Sequence, residues 1–176
     1  MKLLNRVMKI RQMIDIIEGS TKLTEKSAHG SAWVLISCDE TNEVLLAKRA
    51  RGSNNPGQWN LFGGGIERNE TASQTAHREL GEEAGLVIDP TLMRFKGSIH
   101  GMNFFVVKIS RNDIQMQPNP KEIAKVKWFA LDALPGNLHK STIMFIKACT
   151  RRLVVGENVD AESVEFEKEM AASLRR

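Results

Sequence analysis

The chain has 176 residues, 41% of them apolar, with a formal charge of +4 and an isoelectric point near 9.2. That length and apolar content suffice for one sizeable core, and no apolar run is long enough to span a bilayer, which sets membrane-spanning classes aside. The positive balance suits an anionic small substrate or weak nucleic-acid contact without specifying either. Cys38 and Cys149 sit in apolar segments and form no C-x-x-C, so reduced thiols in a cytoplasmic protein are expected.

Residues 1–29 read as an amphipathic helix followed by a linker. Lys2, Arg6, Lys9 and Arg11 interrupt Leu3, Val7, Ile10 and Ile14, so the segment lacks the continuous apolar stretch of a secretory signal. It predicts a helix packed on the domain or on a second copy in a homodimer, with a membrane-surface or targeting role as the alternative. The polar run after Gly19 ends near Gly30, and residues 30–155 are taken as the folded domain. Ala32–Ser37 and Glu43–Ala47 are apolar runs around the turn-rich residues 38–42 and predict a hairpin or adjacent strands.

Residues 51–57 carry turn formers, Trp59–Phe62 predicts a brief strand, and Gly63, Gly64 and Gly65 allow backbone to approach a ligand closely. Thr71–Ala84 favours helix, with Ala76, Leu80 and Ala84 recurring on the side that packs on a sheet and Gly85 as the stop. Leu92–Ser98, Asn103–Ile109 and Val126–Phe129 are further strands, with a turn at Gly101 and a proline-containing loop at Gln117–Pro120. A second helix is predicted over Ser141–Leu153. The acidic tail 156–176 spaces Phe166, Met170 and Leu174 as a terminal helix would. Strands followed by helices on either face predict an α/β fold, an α/β/α sandwich.

The most informative stretch is Gly64–Leu86, GGIERNETASQTAHRELGEEAGL. At about 100° per residue, Glu82 lies about 60° to one side of Glu79 and Glu83 about 40° to the other, so three acids share a narrow helix face. Like charges at that spacing oppose helix formation, and a bound divalent cation relieves them. A solvated acidic face would account for the E-x-x-E-E run alone. It does not account for Gly64, Glu70, Arg78 and Gly85 holding fixed offsets as well.

Those offsets resemble the box of the Nudix hydrolases, G-x5-E-x7-R-E-U-x-E-E-x-G-U with U aliphatic, at every specified position. A chance match has a frequency of about 10⁻¹⁰ per starting point. The resemblance covers about Gly30 to Leu153, and it implies a Nudix-type α/β/α sandwich with a mixed sheet and a hydrolase that cleaves phosphoanhydride bonds with Mg2+, or with Mn2+. It implies Glu79, Glu82 and Glu83 as metal ligands, the Gly63 carbonyl as a further one, and an ion pair in which Arg78 and Glu70 hold the catalytic carboxylates. Glu122 is the candidate general base outside the box. Two positions depart from common family usage, Phe62 where proline often precedes the glycines and Asn69 before Glu70, which bears on loop shape.

Lys48, Arg49 and Arg51 follow a strand and precede the glycine loop, where cations meet phosphates; an exposed basic loop is the bland reading. Trp33, Trp59, Phe62, Phe104 and Phe105 are candidates to stack on a base, although most must fill the core. His29, His77 and His139 are expected to be exposed. Gly101 and Met102 stand where many ADP-ribose hydrolases carry proline, and other subfamily arrays are missing or loosely matched. Elimination leaves a MutT-like enzyme for nucleoside or deoxynucleoside triphosphates. Nucleotide sugars, dinucleoside polyphosphates or 5′-phosphorylated RNA would use the same metal site. A non-catalytic nucleotide-binding module, which could engage nucleic acid or a protein partner, is the alternative from another class.

Overall fold

A computed structural model describes residues 30–38, 40–130 and 132–146. The N-terminal helix and linker, the second helix beyond residue 146, Cys149 and the acidic tail lie outside the described residues. The strands are β1 (Ser31–Cys38), β2 (Glu43–Arg49), β3 (Trp59–Asn60), β4 (Phe62–Gly65), β5 (Arg94–Ile99), β6 (Met102–Lys108) and β7 (Ile123–Ala130). Helix α1 spans Ala72–Ala84, and α2 is described over 140–146.

β1 and β2 form the expected antiparallel hairpin, with Asn42 at φ 54 in the turn, where asparagine is tolerated. They pair only from Ile36 to Cys38 against Glu43 to Leu45 and then diverge. The segment 59–65 fills the fork. Its first half, β3, pairs with Ala47 and Lys48 of β2, and its second half, β4, pairs with Ser31 to Val34 of β1. The short strand predicted over Trp59–Phe62 is thus divided at Leu61, because the segment changes partner there. On the outer edges β7 runs antiparallel to β2 and β6 parallel to β1, with β5 beyond β6, so the sheet is mixed.

Alternation along the strands sends side chains to two faces. Val34, Ile36, Leu45 and Phe105 pack with Ala72, Ala76, Leu80 and Ala84 of α1. Val44, Leu46, Phe104 and Val106 pack with Trp59, Leu61 and Phe145 of α2 on the other face. This is the expected α/β/α sandwich. Leu80 is fully buried, a burial that contributes about 2 kcal/mol.

Helix α1 starts one residue later than predicted because Thr71 is its cap. The Thr71 hydroxyl accepts from the Gln74 N–H at 3.2 Å while the Gln74 side chain accepts from the Thr71 N–H at 2.8 Å. Gly85 ends it at φ 66, and a β-carbon there would lie 3.0 Å from Cβ of Gln117. Downstream, Pro90–Leu92 form a 3-10 turn capped by Asp89, so β5 begins at Arg94 rather than Leu92. β7 is longer at both ends than its apolar core suggested, since pairing with β2 carries it past Phe129.

Candidate active site

Residues three and four apart on α1 share a face, which places Arg78, Glu79, Glu82 and Glu83 beside β4. Arg78 is the hub of one half. Its Nε donates to Glu70 Oε1 at 2.8 Å, and Nη2 donates to Glu70 Oε2 and to the Gly65 carbonyl, both at 3.1 Å. Nη1 donates to Glu79 Oε1 at 3.0 Å and to Glu82 Oε2 at 2.8 Å. Glu70 also accepts from the Thr75 hydroxyl at 2.7 Å. The Arg78 and Thr75 bonds hold its carboxyl at about 2, well below its ordinary value of 4.5. Hydrogen bonding to Glu70 in turn raises the guanidinium further above its usual range.

Among the described residues the other half has no hydrogen-bonded cation of this kind. Glu83 is 4% exposed and accepts the Gly63 N–H at 2.9 Å through Oε2. Burial pushes its carboxyl up to about 8, and the negative charges of Glu79 and Glu122 push the same way, against the Gly63 bond and the charge of Arg49. Glu79 is raised by burial, with Arg78 opposing and Glu82 and Glu122 adding to the rise. Glu79, Glu83 and Glu122 therefore face one another closely enough for their charges to interact.

Glu122 reaches that position because its loop is stitched on both sides. The N–H groups of Gln117 and Asn119 donate to the carbonyls of Ala84 and Glu83 at 2.8 and 2.9 Å, and the Ala50 N–H donates to the Glu122 carbonyl at 2.7 Å. The Asn119 amide donates to Glu122 Oε1 at 3.0 Å.

Among the described residues no three His, Cys, Asp or Glu side chains already converge as a ready ligand set. Arg78 holds Glu79 and Glu82, and the Glu82 side chain is 56% exposed on that side. The donor chemistry nevertheless fits a hard divalent cation, since only oxygen donors are offered and the buried carboxylates repel one another without a cation between them.

The other expected site residues separate. Arg49 donates to the Asn54 carbonyl and projects its charge onto both Glu83 and His139. Lys48 lies with Nζ 5.9 Å from the Trp59 ring centroid, and Arg51 is exposed on its loop. Phe62 is a correction. It is fully buried under α1, paired with Val34 of β1, and has no face to offer a substrate. Trp59, Phe104 and Phe105 are buried too, Phe104 stacked on Phe145 at 4.8 Å. Trp33 is the half-buried exception.

His139 is a second correction, at 8% exposure rather than exposed, while His77 is half-buried. The segment before α2 is tied to β3, with Trp59 N–H donating to the Asn137 carbonyl at 3.0 Å and His139 N–H to the Trp59 carbonyl at 2.7 Å. That pairing sets His139, Ser141 and Thr142 against Asn60, a polar cluster the sequence reading missed. Its one signal was an amide between the apolar residues Trp59 and Leu61.

The NUDIX domain model matches residues 28–149. An oxidized purine nucleoside triphosphate hydrolase of Mus musculus is 34% identical over 110 residues, which are 58% of this chain and 68% of that protein. An 8-oxo-dGTP diphosphatase of Proteus vulgaris is 33% identical over 98 residues, 52% of this chain and 86% of that one. A solved MutT NUDIX hydrolase from Burkholderia pseudomallei has a TM-score of 0.53 at 23% identity, covering 69% of this chain and 98% of the other, a likeness of fold alone.

Proposed function

The chain belongs to the NUDIX family as a MutT-like hydrolase of acid anhydrides in phosphorus-containing compounds, and from that premise we propose that it is a Mg2+-dependent pyrophosphohydrolase of purine nucleoside triphosphates, oxidised purines included. It would release the monophosphate and pyrophosphate. The observation that carries this reading is Glu83, buried, with no cation hydrogen-bonded to it among the described residues, and faced by Glu79 and Glu122 inside a complete box. The substrate class is supported by the names of the two relatives above.

Glu79, Glu82 and Glu83, with the Gly63 carbonyl, would hold the ion, and Mn2+ suits the same oxygen donors. The chemistry a divalent ion supplies in such a place is charge neutralisation on the anhydride and a lowered pKa for water. Glu122, oriented by Asn119, accepts the proton of the attacking water as general base. Arg78 positions the carboxylates, and Lys48, Arg49 and Arg51 take the phosphate charge. The same reading makes residues 30–155 the catalytic unit and places it in the cytoplasm, where the buried Cys38 stays a thiol.

The test incubates the full chain with Mg2+ and a panel of nucleoside triphosphates, 8-oxo-dGTP included, and identifies products by chromatography, with Glu83→Gln alongside. Purine triphosphates are expected to be cleaved to monophosphate and pyrophosphate by the native chain and barely by the variant. Preference for a nucleotide sugar, a dinucleoside polyphosphate or 5′-phosphorylated RNA would replace the substrate. Equal turnover by both proteins would remove Glu83 from its role.

A further inference from the structure

The loop that carries Glu122 is fastened to the end of α1 by a short sequence pattern. Gln117-Pro118-Asn119-Pro120 puts proline at every second position, and the residue before a proline is driven toward extended backbone. In an extended run alternate N–H groups point the same way, so the prolines fall where no donor is needed. The two donors that remain, on Gln117 and Asn119, bond the carbonyls of Ala84 and Glu83 at 2.8 and 2.9 Å, groups that a helix leaves unpaired in its last turn. Gly85 lets the loop come this close, since a β-carbon there would lie 3.0, 3.1 and 3.2 Å from the Cβ, O and N of Gln117.

Asn119 divides its side chain between two tasks. Oδ1 accepts the Lys121 N–H at 3.1 Å, which closes a local turn. Nδ2 is not needed for that turn, and it donates to Glu122 Oε1 at 3.0 Å. The Asn119 carbonyl also accepts the N–H groups of Glu122 and Ile123, at 3.1 and 2.8 Å, and the Glu122 carbonyl accepts the Ala50 N–H at 2.7 Å. An exposed glutamate ordinarily keeps its rotamer freedom, so fixing this one carries an entropic cost. Its Oε2 has no hydrogen bond among the described residues, and its charge acts on both Glu79 and Glu83.

We propose that Asn119 is a positioning residue that couples the base to the helix of the ion-binding carboxylates. Its main chain holds the Glu83 carbonyl while its amide locks Glu122 by Oε1, leaving Oε2 to take the proton of the attacking water. This rests on the hydrolase reading above. As the water oxygen bonds to phosphorus, its O–H bond breaks toward Oε2 and the anhydride P–O bond breaks, the electron pair leaving with the bridging oxygen. One amide thus sets the separation between the base and the carboxylates of α1, and a drift of about 1 Å there costs on the order of a hundredfold in rate.

The test uses the full chain with Mg2+ and the panel nucleotide that it cleaves fastest. Asn119→Asp keeps the turn acceptor and removes the donor; Glu122→Gln removes the base. Glu122→Gln is expected to lower kcat on the order of a hundredfold and Asn119→Asp about tenfold, each with KM held within about twofold. In the Glu122→Gln background, Asn119→Asp is expected to lower kcat no further. An equal loss in both backgrounds means that Asn119 only supports the loop and overturns the proposal, as does a loss confined to KM.

Thermal melts establish that the variants fold. If Asn119→Asp does not, Asn119→Ser, which keeps a turn acceptor on a side chain too short to reach Glu122, takes its place with the same expectations. A native chain that cleaves no panel nucleotide removes the hydrolase reading and the coupling with it. Turnover abolished by Glu83→Gln yet unchanged by Asn119→Asp removes the coupling alone.

Discussion

The two halves of the carboxylate site differ in who balances the charge. Around Arg78, one guanidinium reaches three carboxylates and a carbonyl, and Glu70 titrates far below its ordinary range. Around Glu83, on the next turn of the same helix, one N–H bond faces burial and two neighbouring acids, and the carboxyl titrates far above it. Arg78 completes a structural clamp from within the chain. Among the described residues no cation is bonded to Glu83, and that contrast separates the two halves more sharply than spacing alone.

The contrast is broken most strongly at Glu83. Glu83→Gln is expected to lower kcat by roughly a thousandfold, within the range for lost acid–base and charge stabilisation, measured under saturating substrate and Mg2+. With the metal chelated, the sign on stability reverses. The folded chain keeps a proton to about pH 8 that the unfolded chain releases near 4.5, so native stability falls as pH rises between those values. The slope amounts to on the order of 5 kcal/mol over the window, and the glutamine variant, neutral throughout, should lack it in denaturant titrations at pH 5 and 8.

Arg78→Ala comes next. It leaves Glu70 and Glu79 without their cation and is expected to cost about 2 kcal/mol in urea unfolding, less than a wholly buried pair would, because the side chain is 21% exposed. Arg78→Lys keeps the charge without the fork and should fall between the two. A melting curve unchanged in Arg78→Ala would show that the clamp holds nothing.

Gly64→Ala sharpens the comparison at the seam. The added β-carbon would lie 2.8 Å from Cδ of Glu79, so the carboxylate must move; a loss of about 1 kcal/mol with a larger fall in kcat than in KM is expected. Smallest is Thr71→Ala, which removes the cap and should cost about 1 kcal/mol of stability while leaving KM unchanged. A KM shift there would mean the start of the helix reaches the substrate.

Most of the scaffold was legible because it rests on local rules. The alternation of Val34 with Leu35 and of Leu45 with Leu46 marks two sheet faces, and the four-residue recurrence of Ala76, Leu80 and Ala84 marks the helix side that packs on one of them. Gly85 declares the stop. The ion pair of Arg78 with Glu70 that the box resemblance implies is present in the structure. What remained hidden depends on contacts distant in sequence. Phe62 looked available because its place beside the glycines was visible while its pairing with Val34 was not. His139 looked exposed because nothing near it in the chain reveals that residues 137–139 lie along Trp59. Division of charge around Arg78 was equally illegible, since three acids at helical spacing do not say which of them one arginine will claim.

The strip of chain from 59 to 65, wedged where β1 and β2 part, ties Asn60 to Gly63 across three peptide units, a reach of about 10 Å. Because the Gly63 N–H on that strip is the donor that Glu83 accepts, any change that moves β3 also moves the bond that opposes the rise of the Glu83 carboxyl.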